Sequence, residues 1–215
     1  MNTTGDFSWL GRALAWARRL SRAAVWVGGA LTLLSVALIC ADVLARRLLG
    51  VSMGGADELS GYAFAISVSW ALAFTALERA NVRVDVLYQR LPLRVAAVAD
   101  WLSLVALSVF AVVLCWYAAQ VALASFEMRS SANTPLGTPL VLPQALWAAG
   151  LLWFVIVLAL MLLRASLALV TGDLALLRAV CGIKSAVEEA GEEAAAGERL
   201  VQAELAAAAQ KGPQP

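Results

Sequence analysis

The side chains in this sequence that could do chemistry are few, and most are acids and arginines. Asp42 lies inside an apolar run with Arg46 four residues later, Asp57 and Glu58 are adjacent in "ADELSGY", and Arg83 and Asp85 alternate with valines in "NVRVDV". Asp100 directly precedes Trp101. An acid within a membrane is a candidate proton or ion site by default, and two acids facing each other at depth could form an aspartyl protease. The spacing offers quieter uses for them. Asp42 and Arg46 share a helix face at i, i+4 and can pair. Asp57 and Glu58 suit the positive end of a helix dipole. Asp100 sits at a boundary, within reach of water and Arg94. Histidine is absent, which removes bis-histidine haem, histidine-containing zinc sites, and Ser-His or Cys-His catalysis. Cys40, Cys115 and Cys181 have no metal-type spacing, and the two within apolar runs read as small filler. There is no glycine loop for phosphate, and a net charge of +1 leaves no nucleic-acid footprint. The residues therefore predict no enzyme, cofactor or metal.

What must position these residues is a membrane. Of the 215 residues 62% are hydrophobic and only 14% charged, against about a quarter charged in soluble domains. The mean hydropathy is +0.80. Four windows are long and apolar enough to span: 23–44, 59–77, 101–126 and 141–163. The first carries only Asp42, and the others carry no charge. A cleaved signal peptide is the alternative for the first window, but its apolar stretch is too long and three more spans follow. The predicted fold is an all-α integral membrane protein of four transmembrane helices with short interfacial amphipathic helices. Placing the charged stretch 78–85 at mid-membrane would cost roughly 10 kcal/mol, so it is a loop. The N-terminal segment, the 78–100 loop and residues 164–184 hold four, four and three Arg or Lys, whereas the other two connections hold Arg46, Arg47 and Arg129. The positive-inside rule then puts both termini in the cytoplasm.

Three regions follow: 1–22, a cytoplasmic amphipathic segment; 23–164, the membrane domain; and 165–215, an interfacial stretch with an Ala/Glu-rich cytoplasmic tail. In the 78–92 loop Val84, Leu87, Tyr88 and Leu91 follow a helical template with Asn81 as N-cap, which predicts a short helix on the inner membrane surface. Phe7, Leu10, Leu14 and Ala17 line one face of the N-terminal segment in the same way. Solvated basic loops are the alternative for both. Gly61, Ala65, Ser69 and Ala73 place small side chains every four residues along the second span, a pattern that lets helices approach closely in lipid. Pro139 and Pro143 punctuate the outer loop "SSANTPLGTPLVLP", predicted to be ordered but non-helical.

In this order the pieces resemble the small membrane subunit of tripartite ATP-independent periplasmic (TRAP) transporters, the DctQ-type family, from about Ala23 to Arg164. "LARRLLG" with Arg46, "ADELSGY" with Asp57 and Glu58, the "VRVD" loop with Arg83 and Asp85, and "TPLGTPLVLPQALW" carry the resemblance by their order across four spans. The family's usual His before "VRVD" is Asn81 here, its Trp near the acidic pair is missing from "MGGADE", and the long tail is extra. The resemblance implies a non-catalytic scaffold in a bacterial or archaeal cytoplasmic membrane, in contact with membrane lipids. Its partners would be a large membrane subunit and a periplasmic substrate-binding protein, importing an organic anion with sodium. Two rival readings are a self-sufficient small ion-coupled transporter using Asp42 or Asp100, and a four-span assembly factor.

Overall fold

A computed structural model describes residues 8–52, 54–79, 92–182, 191, 194–195 and 197–202. The chain divides into two compact units, Met1–Gly182 and Ile183–Pro215. The described residues of the second unit are helical. Arg83 and Asp85, with the surface helix expected around them, lie outside the described residues.

Among its described residues the first unit contains four long helices, α1 (Ser8–Leu49), α2 (Ala56–Leu77), α3 (Leu93–Glu127) and α4 (Val141–Thr171), and a short α5 (Leu174–Cys181). The four long ones are apolar and long enough to cross a membrane. They overrun the hydropathy windows. The 42-residue α1 absorbs the segment before residue 23 without a break, and at 1.5 Å per residue it is about 63 Å long, twice a hydrocarbon core. Likewise α3 begins eight residues before Trp101, and α4 continues through Arg164 to Thr171. A charge at a helix end faces water or headgroups and does not interrupt the backbone ladder.

The helix ends follow local rules. Pro143 falls in the first turn of α4, where a missing N–H costs nothing. Gly172 closes α4 in the left-handed region (φ 72°). Its N–H reaches Leu169 O at 3.2 Å, and the next N–H, of Asp173, reaches Ala168 O at 3.0 Å. That is a Schellman stop. Asp173 Oδ1 then accepts the N–H of Leu176 at 2.9 Å, capping α5 as α4 ends.

Packing pairs α1 with α2 and α3 with α4, and α4 also lies against α2 and α1. The buried positions of α3 include Ala97, Leu104, Ala111, Ala118 and Ser125, spaced by sevens, and those of α1 include Ser21, Gly28, Ser35 and Asp42 in the same step. A seven-residue seam keeps one narrow line of a helix against its neighbour in a shallow left-handed crossing. Apart from Leu104, these seams are built of small or short side chains. Large apolar residues lie on the outside, among them Trp26, Leu33 and Trp116, each more than 60% exposed. Such a surface suits lipid or another apolar chain, not water.

Candidate functional site

The polar side chains gather at the end of the bundle where α1 finishes and α2 begins. Asp42 is 3% exposed. Arg46, one turn on, donates through Nη2 to its Oδ2, and Ser52 Oγ donates to its Oδ1 at 3.2 Å. The α1–α2 connection therefore folds back onto the last turns of α1, through left-handed glycines at 50 and 54 (φ 67° and 66°). An acid buried this close to a guanidinium is charge-compensated in place.

Glu58 does a similar job in the first turn of α2. Tyr62 Oη donates to its Oε1 at 2.8 Å, and the Thr134 hydroxyl donates to its Oε2. Thr134 opens the turn Thr134-Pro-Leu-Gly, closed by Gly137 N–H to Thr134 O at 3.0 Å, with Pro and Gly where a type I turn favours them. Around it Ala132 N–H bonds Thr138 O at 2.9 Å, Leu140 N–H bonds Ser130 O at 3.0 Å, and Ser131 bridges Pro139. The α3–α4 connection is thus a small hairpin. Its tip reaches the α1–α2 turn: a Cβ on Gly55 would lie 2.0 Å from Leu136 Cδ1, and one on Gly54 would lie 3.6 Å from Pro135. Asp42, Arg46, Ser52, Asp57, Glu58, Thr134 and Pro135 help to line a shallow recess of about 230 Å3.

The structure thus gathers Asp42, Arg46, Asp57 and Glu58 at one end, with Asp57 exposed beside the recess. Pro139 sits exposed in the hairpin, and Pro143 is half-buried in α4. The small-residue strip of α2 divides: Ser69 and Ala73 are buried in the bundle, whereas Gly61 and Ala65 face outward. Asp100 is 2% exposed, deeper than a water-facing boundary residue.

Sequence reasoning missed the contacts that hold the helices together. Gly28 meets α2 so closely that a Cβ there would lie 3.2 Å from Ser67 Cβ. Ser67 Oγ lies 3.0 Å from Gly28 O and 2.6 Å from Ala63 O, its one proton serving either carbonyl. Gly150 meets Ser69 and Trp70 in the same manner. Three indole N–H groups then tie α4 to its neighbours: Trp70 Nε1 to Leu146 O (3.1 Å), Trp101 Nε1 to Ser166 Oγ (2.9 Å) and Trp153 Nε1 to Ser21 Oγ (3.0 Å). The seven-residue recurrence of Ser21, Gly28, Ser35 and Asp42 was the available signal. Among the described residues no three acid or cysteine side chains gather to hold a metal ion.

With this arrangement in view, the family model for tripartite ATP-independent periplasmic transporters, DctQ component, matches residues 35–168, more than half of the chain. The chain belongs to the DctQ family. A search of the curated proteins gives no match, and neither does one of the solved structures. As a DctQ component it is a multi-pass membrane protein and a transporter subunit, not an enzyme, and the family implies a tripartite assembly with the other TRAP components. The DctQ match covers the Asp42–Arg46 pair, the acidic start of α2, the hairpin and nearly all of α4. Ser21 and Gly28, which α4 and α2 grip, precede it.

Proposed function

We propose that this DctQ chain is the fixed scaffold of its transporter, which imports an organic anion, a carboxylate or sugar acid, together with sodium. The large membrane subunit carries the substrate and a periplasmic protein delivers it. One observation carries this reading: α1 to α4 run without a break. Midplane sites in secondary transporters are built from interrupted helices, whose free backbone ends hold substrate and ion. Here Asp42 is compensated by Arg46 and Ser52 near a helix end, and Ser21, Ser67 and Ser166 with the indoles of Trp70, Trp101 and Trp153 are used between helices. The chain sits in a bacterial or archaeal cytoplasmic membrane with both termini inside, on the strength of its arginine distribution. The charged loop with Arg83 and Asp85 acts as an inner-surface brace for the second and third spans and meets the large subunit.

Liposomes holding only this chain should take up no organic anion in a sodium gradient. Adding the large subunit and the binding protein should restore uptake. Sodium-driven uptake by the lone chain would overturn the scaffold and make Asp42 the first coupling residue to test.

A further inference from the structure

At the other end of the bundle, where α1 starts and α4 finishes, a cleft of about 130 Å3 opens between α1, α2, α4 and α5. Leu14, Leu77, Met161 and Val180 form an apolar wall, and Arg18 and Arg164 reach the cleft from α1 and α4. Arg18 is partly engaged: its Nε lies 3.3 Å from Glu78 Oε1, and its Nη2 donates to Leu77 O at 3.3 Å. Glu78 Oε1 is buried and receives no well-directed hydrogen bond, so this ion pair is loose. Arg164 is half-buried, and among the described residues it makes neither a hydrogen bond nor an ion pair.

A half-buried guanidinium beside apolar side chains is costly unless it meets an anion. Its planar fork matches a phosphate in bidentate fashion. Two arginines against one carboxylate leave one unit of positive charge in the cleft, and a phosphodiester carries one unit of negative charge. The apolar wall beside the guanidinium groups offers a surface for acyl chain, which a free phosphate would not use. Trp9 and Trp16, both largely exposed, stand on the same stretch of α1, as tryptophans do at headgroup level. Trp16 is held edge-on to Trp153, with centroids 5.8 Å apart. We infer that this cleft binds an anionic phospholipid, its phosphate between Arg164 and Arg18 and an acyl chain along Leu14 and Met161. The inference does not depend on the scaffold reading, because lipid retention and transport are measured separately.

The test uses the chain purified with its large subunit, stripped of lipid in detergent and examined by native mass spectrometry. Phosphatidylglycerol, phosphatidylcholine or inorganic phosphate is then added back. One phosphatidylglycerol should be retained in preference to phosphatidylcholine. Arg164→Gln should weaken retention about tenfold, the loss expected for a charge-assisted contact, and Arg164→Lys should weaken it less. The exposed Arg12→Gln should behave as wild type. Because Arg164 has no protein partner to lose among the described residues, its variants should keep the wild-type melting temperature without lipid. Equal retention of both lipids, or unchanged retention in Arg164→Gln, would overturn the inference. Displacement of the lipid by inorganic phosphate would make this a free-anion site and overturn it too. So would lipid bound by the isolated chain but excluded from the complex, since Arg164 would then serve a partner's acid.

Discussion

Replacing Gly150 by alanine should push α2 and α4 apart. The added methyl would lie 2.4 Å from Ser69 Oγ, 2.7 Å from Trp70 Cδ1 and 3.0 Å from Ser69 Cβ. Ordinary contact starts near 3.4 Å, so the helices must separate by about 1 Å or both side chains must turn, a cost of about 1–3 kcal/mol for overpacking. Neither side chain is free to turn. Ser69 Oγ is bonded to Ile66 O at 2.9 Å and Trp70 Nε1 to Leu146 O at 3.1 Å. Losing the indole bond adds about 0.6–1.7 kcal/mol, the range for interhelical bonds in membranes. Alanine returns about 0.8–1.0 kcal/mol of helix propensity, so the net loss is about 1–4 kcal/mol. The assay is unfolding in mixed micelles by added dodecyl sulfate, followed by tryptophan fluorescence. Gly29→Ala and Gly61→Ala are the controls, since a Cβ at either meets nothing within 4 Å. They should leave stability unchanged or raise it slightly. Adding Ser69→Ala to Gly150→Ala should recover part of the loss, because the nearest atom is gone. A Gly150→Ala protein as stable as Gly29→Ala would refute the close approach of these helices.

Four other outcomes are expected. Ser69→Leu should destabilise the isolated chain, whereas Ala65→Leu, on the outward side of the same helix, should leave its unfolding unchanged, and co-purification with the large subunit then reports whether that side is covered. Arg46→Gln should cost about 1 kcal/mol by removing a charged partner from the buried Asp42, and adding Asp42→Asn should restore part of it in the same micelle assay. Trp153→Phe should cost about 0.6–1.7 kcal/mol through loss of its bond to Ser21, whereas Trp26→Phe on the exposed face of α1 should cost nothing measurable. Single cysteines at Gly54 and Asn133 should react with an impermeant thiol reagent on intact cells, and cysteines at Arg83 and the C-terminus should not; labelling at 83 from outside would reject the orientation.

The four spans were legible because hydropathy reports what a helix shows to lipid, and nothing else in this chain is so apolar for so long. Hydropathy does not report where the helix ends. Arg94 and Asp100 lie outside the third window, yet α3 runs through both. The Asp42–Arg46 pair was legible because i, i+4 spacing alone brings the two together. The Glu58–Thr134 bond was not, since it joins residues 76 positions apart and depends on how a hairpin lands. The strip from Gly61 to Ala73 shows the ambiguity of a four-residue step. An α-helix turns 400° in four residues, so the strip drifts around the helix, and its two ends face different surroundings. The sevens of α1 and α3 hold their face far better, but alanine and serine are too common here for the eye to pick them out.

The place of α4 in the bundle bears on the order in which the protein can be made. Of the four spans it is the last to leave the ribosome, and it lies against α1, α2 and α3. Ser21, Ser69 and Trp101 enter the membrane before Trp153, Gly150 and Ser166 exist to meet them. At about 5–20 residues per second, the hairpin of α1 and α2 must wait several seconds in lipid with its grip for α4 empty. A nascent chain stalled short of residue 141 would therefore be an inserted but unassembled product, exposed to the quality-control proteases of its membrane.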